Sequence, residues 1–241
     1  MNLTKRFMHS PGRARVSLFA LAAAVLITGC AATPSKVDPL EPMNRALFRV
    51  HDVADKVVMK PVVQVYTAVV PSFARIAVSN FFNNIDDLFS GINGLLQGKP
   101  QKAGDDFGRV MVNTLFSLGF IDIASEAGIE RGNEDFGQTF AVWGVHSGPY
   151  LFVPFFGPST FRDATGTAIR VYVGPTGYIE DVPVRNSVLG LSAVDTRYQA
   201  GDALEIVENA ALDRYTFIRN AYFQRRRYLI YDGKVPPEQE D

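Results

Sequence analysis

Between Ala77 and Gln97 the apolar positions recur with the period of an α-helix. Ala77, Val78, Phe81, Phe82, Ile85, Leu88, Phe89, Ile92, Leu95 and Leu96 share one arc of a helical wheel, while Asn80, Asn83, Asn84, Asp86, Asp87, Ser90, Asn93 and Gln97 fill most of the rest. The spacing predicts an amphipathic helix about 30 Å long. Its polar face carries asparagines and aspartates and no lysine. A helix lying on an anionic membrane surface usually shows Lys and Arg there. An amide-rich face suits a water-filled interior or a hydrogen-bonded network, and equally the wet side of a soluble core helix.

Other segments share that period. Met43 to Val58 reads as a helix that Pro61 interrupts, with Val62 to Val70 following before Pro71. Lys102 to Leu118 places Phe107, Val110, Met111, Leu115 and Phe116 on one side and stops at Gly119; Asp122 to Ala127 adds a short turn. From Asp202 to Asp232 there is neither Pro nor Gly, and Leu204, Val207, Ala211, Tyr215, Ile218, Tyr222 and Leu229 form a stripe, which predicts one long C-terminal helix.

Residues 131–183 break the pattern with frequent Gly and Pro. From Phe136 through Phe161 there is no Asp, Glu, Lys or Arg. That run is long and apolar enough for a bilayer, but Gly148-Pro149, Pro154 and Gly157-Pro158 forbid one continuous helix. Irregular backbone is not tolerated against lipid, so this stretch either packs inside a soluble core or folds within a membrane-embedded body that satisfies its amides. Its aromatic, uncharged character favours the second. Trp143 and Tyr150 are candidates for the membrane interface, with burial in a dry core as the alternative.

The N-terminus adds a location. Lys5, Arg6, Arg13 and Arg15 precede a short apolar run, Val16 to Ile27, and then Thr28-Gly29-Cys30. This is a secretory signal, too short in its apolar part to span a bilayer. Cys30 is the only cysteine, and its place after Thr-Gly resembles the lipobox of bacterial lipoproteins, which are cleaved before that residue and acylated on it. Several acyl chains together anchor a protein stably. No aspartate follows Cys30, which resembles the outer-membrane sorting pattern. The expected organisation is a signal peptide over 1–29, an acylated tether over 30–41, a helical domain over 42–232 and a flexible tail over 233–241.

Candidate chemistry is sparse. Without the leader the chain is acidic on balance, so no basic excess exists to displace counterions from nucleic acid. No zinc-type ligand spacing, P-loop or dinucleotide fingerprint occurs, and no cofactor is expected beyond covalent diacylglycerol and an N-acyl chain on Cys30. Gly144-Val145-His146-Ser147-Gly148 has the wrong spacing for a nucleophile elbow. A lipid hydrolase using Ser147, His146 and Asp135 or Asp163 is a weak alternative, because sequence adjacency does not make a triad. Asp86 and Asp87 point about 100° apart on a helix and cannot share a proton as a dyad. Arg225-Arg226-Arg227 reads as an exposed helix end or as a contact for lipid headgroups or an acidic partner.

Several strings, in order, then carry a resemblance: Asp38-Pro39-Leu40-Glu41-Pro42-Met43-Asn44-Arg45, Asn80-Phe81-Phe82-Asn83-Asn84, Glu134-Asp135-Phe136-Gly137-Gln138-Thr139, Gly148-Pro149-Tyr150-Leu151, Gly157-Pro158-Ser159 with Arg162-Asp163, Leu212-Asp213-Arg214-Tyr215 and Arg219-Asn220-Ala221-Tyr222. The set resembles the MlaA (VacJ) family of outer-membrane lipoproteins along nearly all of the chain after the signal. The resemblance implies a mostly α fold: a single ring-like, membrane-embedded helical domain with amphipathic helices and a Gly/Pro/aromatic-rich irregular segment. It implies a non-enzymatic function, taking phospholipids misplaced in the outer leaflet of the outer membrane through an amphipathic passage to a periplasmic carrier of the MlaC type, with trimeric porins as partners. A structural lipoprotein that only docks on a porin is the alternative. On this reading Asn80, Asn83, Asn84 and Asp87 face the passage, while Phe81, Phe82, Ile85, Leu88 and Phe89 pack outward on lipid or neighbouring helices. Phe81, Phe82, Trp143 and Tyr150 join the asparagines and Asp87 as candidate lipid-contact residues.

Overall fold

The computed structural model describes residues 38–236; the signal, Cys30 and most of the tether and tail lie outside them. Helix α1, Glu41–Ala54, starts with Pro42 in its first turn, where a missing N–H costs nothing. Pro61 does not end the helix as expected. It has no N–H to give to the preceding turn, so that turn widens into a π segment, Asp55–Met59, and the chain continues as α2, Lys60–Val69.

The long amphipathic helix forms as α3, Ser72–Leu96, and turns back tightly into α4, Pro100–Ser117. The two pack closely because the contact is lined by small residues. A Cβ on Gly94 would lie 3.2 Å from Ala103, and one on Gly91 would meet the Phe107 ring at 2.8 Å. Leu118 closes α4 in the left-handed conformation and Gly119 follows at φ 83°. Asp122 caps the short α5, Ile123–Glu126.

The Gly/Pro-rich region is more regular than its composition suggests. It holds α6, Phe136–Val142, an antiparallel hairpin of β1, Tyr150–Val153, and β2, Gly157–Thr160, and then α7, Phe161–Val173. Side-chain caps set the helix starts: Asp135 accepts from the Gln138 N–H and Thr160 from the Asp163 N–H. Helix α8, Val182–Gln199, had no clear sequence signal, because its apolar residues are spread around the axis.

The expected single C-terminal helix is two. Helix α9 is Gly201–Ala210 and α10 is Arg214–Ile230. Ala211 is extended, and Asp213 turns its side chain onto the Thr216 N–H to start a new helix. An N-cap aspartate supplies the break that no Pro or Gly announces.

Contacts close a circuit: α1 packs on β1, β2 on α10, α10 on α6, α6 on α3, α3 on α8 and α8 on α2, which continues from α1. The N-terminal motif locks it. Asn44 mimics a strand, donating to the Tyr150 carbonyl at 3.0 Å and accepting from the Phe152 N–H at 2.9 Å. Asp38 accepts from Asn44 and from the Tyr215 hydroxyl, and Arg45 forks onto Asp213. A small aromatic core of Tyr150, Phe152 and Tyr215, flanked by Phe48, fills this corner.

Elsewhere the usual distribution is inverted. Among the described residues, most of the fully buried side chains are polar or charged, Asn93, Asp106, Arg109, Gln138 and Asp195 included, whereas Val65, Phe73, Leu115, Phe116 and Leu118 are exposed. Large exposed apolar patches on a monomer mark an interaction with protein or membrane.

Candidate functional site

The buried polar groups form three linked clusters between α3 and its neighbours. Arg109 donates to Asp87 at 3.0 Å and grips Asp122 with two bonds at 2.8 Å. Burial holds the Asp87 carboxyl above its ordinary range despite Arg131 and Arg109 beside it. Burial also raises Asp122, but hydrogen bonds from Ser125 and Arg109 outweigh it and hold that carboxyl at about 2. One turn on, Ser90 donates to Asp106 at 2.6 Å and accepts from the Glu134 N–H, and Asp106 accepts from the Gly132 N–H. A Cβ at Gly132 would sit 2.4 Å from Asp106, which leaves no room for another residue. Thr139 then donates to Asn93 at 2.7 Å and accepts from Gln97 at 3.1 Å. These contacts explain why the Glu134-to-Thr139 string has the residues it has: it is the polar partner of α3.

On the other side of α6, Arg226 of α10 pairs with both Asp135 and Asp163. Asp163 also accepts from the Tyr222 hydroxyl and pairs with Arg162 at 2.9 Å. Burial raises the Asp163 carboxyl, but the Arg226 charge and these bonds hold it below the usual carboxylate range. Gly137 and Gly166 let α6 and α7 touch backbone to backbone; a Cβ on Gly166 would be 2.5 Å from the Gly137 nitrogen.

The clusters wall a cavity of about 690 Å³, within the roughly 300–1,000 Å³ of small-molecule sites. Its polar wall includes Asn83, Asp86, Asp87, Arg131, Asp163, Arg170, Arg225 and Arg226. Its apolar wall includes Phe136, Phe156, Val207, Phe217, Ile218 and Leu229.

The sequence candidates divide across this site. Asn83 and Asp87 line the cavity. Asn80 and Asn84 do not: they turn to the α4 side, donating to the Phe120 carbonyl at 3.1 Å and to the Thr114 hydroxyl at 3.0 Å. Phe81 points away and stacks on Phe120 at 5.5 Å, with Phe82 edge-on to it. Phe89, expected on the outward side, lines the cavity instead, under the Arg170 guanidinium at 3.7 Å. Trp143 is exposed with its indole N–H on the Leu96 carbonyl, whereas Tyr150 is sealed in the aromatic core. His146 and Ser147 sit on an exposed loop, and Arg226 engages both Asp135 and Asp163. Sequence reasoning missed Arg131 and Arg170 as cavity residues, since single arginines in an irregular stretch and on a mixed helix carry no signal of their own.

The family model of the MlaA lipoproteins matches residues 36–229, which takes in the cavity walls and the motifs that lock the circuit. The chain belongs to the MlaA lipoprotein family. Two MlaA proteins named as lipoproteins of an intermembrane phospholipid transport system are similar along nearly their whole length. The Haemophilus influenzae protein is 31% identical over 239 residues, covering 95% of each chain. The Escherichia coli K12 protein is 31% identical over 234 residues, covering 93% of this chain and 92% of its own. A solved structure described as "Structural basis for maintenance of bacterial outer membrane lipid asymmetry" matches with a TM-score of 0.68 at 31% identity, over 80% of this chain and 98% of that one. The mostly helical MlaA architecture is thus shared.

Proposed function

We propose that this protein is a phospholipid-transport lipoprotein that sits in the periplasmic side of the outer membrane, takes phospholipids mislocalised to the outer leaflet into its cavity and releases them to a periplasmic carrier of the MlaC type. The observation that carries this reading is the inverted polarity of the body, with apolar side chains outward and charged side chains around a cavity. In water, that arrangement exposes a wide apolar surface; in hydrocarbon the same surface is matched. Among the described residues no helix is long and apolar enough to cross a membrane, which agrees with a body embedded from one side and held by the acyl chains on Cys30.

A phospholipid in transit needs a wet path for its headgroup and an apolar wall for its tails. The cavity offers both, with Asn83 and the ion pairs on one wall and Phe136, Phe217 and Leu229 on another. Because most of its charges are already paired, a headgroup pays a low desolvation cost without being trapped. Nothing in this path needs bond making or breaking, so the function is transport without catalysis. Porins are proposed as docking partners.

The test is outer-leaflet phospholipid in cells lacking this protein. It should rise and detergent resistance should fall, and supplying the full chain should restore both. Unchanged asymmetry in the deletion strain would contradict the proposal.

A further inference from the structure

Among the described residues four arginines line the cavity, and three of them are occupied. Arg131 pairs with Asp87 at 3.1 Å. Arg170 pairs with Asp86 at 2.8 Å and lies over Phe89. Arg226 pairs with Asp135 and Asp163. The fourth, Arg225, is exposed on the cavity side and has no carboxylate partner among the described residues. It stands on the same face of α10 as Ile218, Tyr222 and Leu229, the 4-3-4 spacing that puts side chains in one row on a helix. An uncompensated guanidinium is therefore set among apolar groups on one wall of the cavity, facing the polar wall that carries Asn83 and Asp87.

We propose that Arg225 is the anchoring cation for the phosphate of the ligand in this cavity, resting on the transport reading above. A guanidinium offers paired donors that match two phosphate oxygens, and such charge-assisted bonds are stronger than neutral ones. Asn83, whose amide has no hydrogen-bond partner in the described structure and also lines the cavity, supplies a second, neutral donor. Leu229, one turn after Arg225, and Ile218, two turns before it, give the acyl chains an apolar surface on the same wall as the phosphate. The substrate class this selects is a lipid with a phosphodiester; a diacylglycerol without phosphate has nothing for Arg225 to hold. The neighbour Arg226 cannot substitute, because two carboxylates hold it in place.

The experiment measures binding of two probes with the same fluorescent acyl chain, phosphatidylglycerol and diacylglycerol, to the purified full chain in detergent. Wild type should bind the phosphatidylglycerol probe roughly tenfold more tightly than the diacylglycerol probe. Arg225→Ala should erase that preference while retaining diacylglycerol binding and its melting temperature, and Arg225→Lys should keep most of it. If Arg225→Ala keeps the preference, the assignment is wrong. If millimolar inorganic phosphate displaces the lipid probe as fully as unlabelled phosphatidylglycerol does, the site reads free phosphate and the lipid assignment is overturned. Failure of wild type to bind either probe would instead sink the transport reading itself, and the anchoring role with it.

Discussion

Arg109 on α4 donates its Nε hydrogen to Asp87 on α3 at 3.0 Å; the Arg109 side chain is sealed from solvent and the Asp87 side chain is buried at the edge of the cavity. The pair is the hinge pin of the α3–α4 hairpin, and the same guanidinium also donates to Asp122, the Ser125 hydroxyl and the Ile129 carbonyl. Removing Arg109 leaves Asp87 with Arg131 as its one cation and Asp122 with none among the described residues, and breaking a buried pair in this way costs up to about 3–5 kcal/mol. Arg109→Met should therefore lower the melting temperature of the detergent-purified protein sharply. A melting curve equal to wild type would show that these charges are not buried.

Acidification probes the same cluster. Asp122 is held at about 2, below its ordinary value. A carboxyl depressed on folding stabilises the folded state above its ordinary value of about 4, and that contribution fades as pH falls from about 4 toward 2. Asp87 works in the opposite sense, since burial holds it above its ordinary range. Comparing wild type with Asp122→Asn isolates the effect: the variant should be less stable at neutral pH and should lose less stability between pH 4 and pH 2. Parallel pH curves for the two proteins would refute this.

The α6–α7 crossing gives a steric prediction. Gly166→Ala would place a Cβ 2.5 Å from the Gly137 nitrogen and force backbone apart, which should cost several kcal/mol. Gly104→Ala, with nothing within 4 Å in a helix interior, should be neutral or stabilising by about 0.5–1 kcal/mol. Thermal melts of both variants check the pair; equal shifts would mean the close approach is absent.

How far the sequence could be read varied with how local the determining contact is. The α3 stripe was legible because a helical period lies within one segment. That its polar side turns inward was not, since the period is the same in water and in lipid; the choice depends on the solvent around the finished fold. The break at Ala211–Asp213 is set by Asp213 answering both the Thr216 N–H and Arg45, a partner far away in the chain. The different fates of Arg225 and Arg226 follow from a 100° turn of α10 against Asp135 and Asp163, which composition cannot show. The same holds for the asparagines: Asn83 and Asn84 are neighbours about 100° apart around α3, and that rotation puts Asn83 in the cavity and Asn84, with Asn80, on the α4 side.

That division predicts different phenotypes. Asn83→Leu should lower outer-membrane detergent resistance at normal protein abundance, because it greases the wet path. Asn84→Leu should act through stability, by about 1 kcal/mol for the lost bond to Thr114. Resistance assays and melting temperatures separate the two; interchanged effects would place the cavity wall elsewhere.

On the proposed function the outward apolar surface faces lipid while the cavity stays wet. Nitroxide labels on single cysteines in membrane-inserted protein test it by collision with oxygen, which concentrates in hydrocarbon, and with a water-soluble nickel chelate. Labels at Leu115 and Phe116, 74% and 75% exposed, should be oxygen-accessible and nickel-protected, and a label at Asn83 should show the reverse. Nickel access at Leu115 and Phe116 equal to that at Asn83 would mean the body stands in water, and the account would be contradicted.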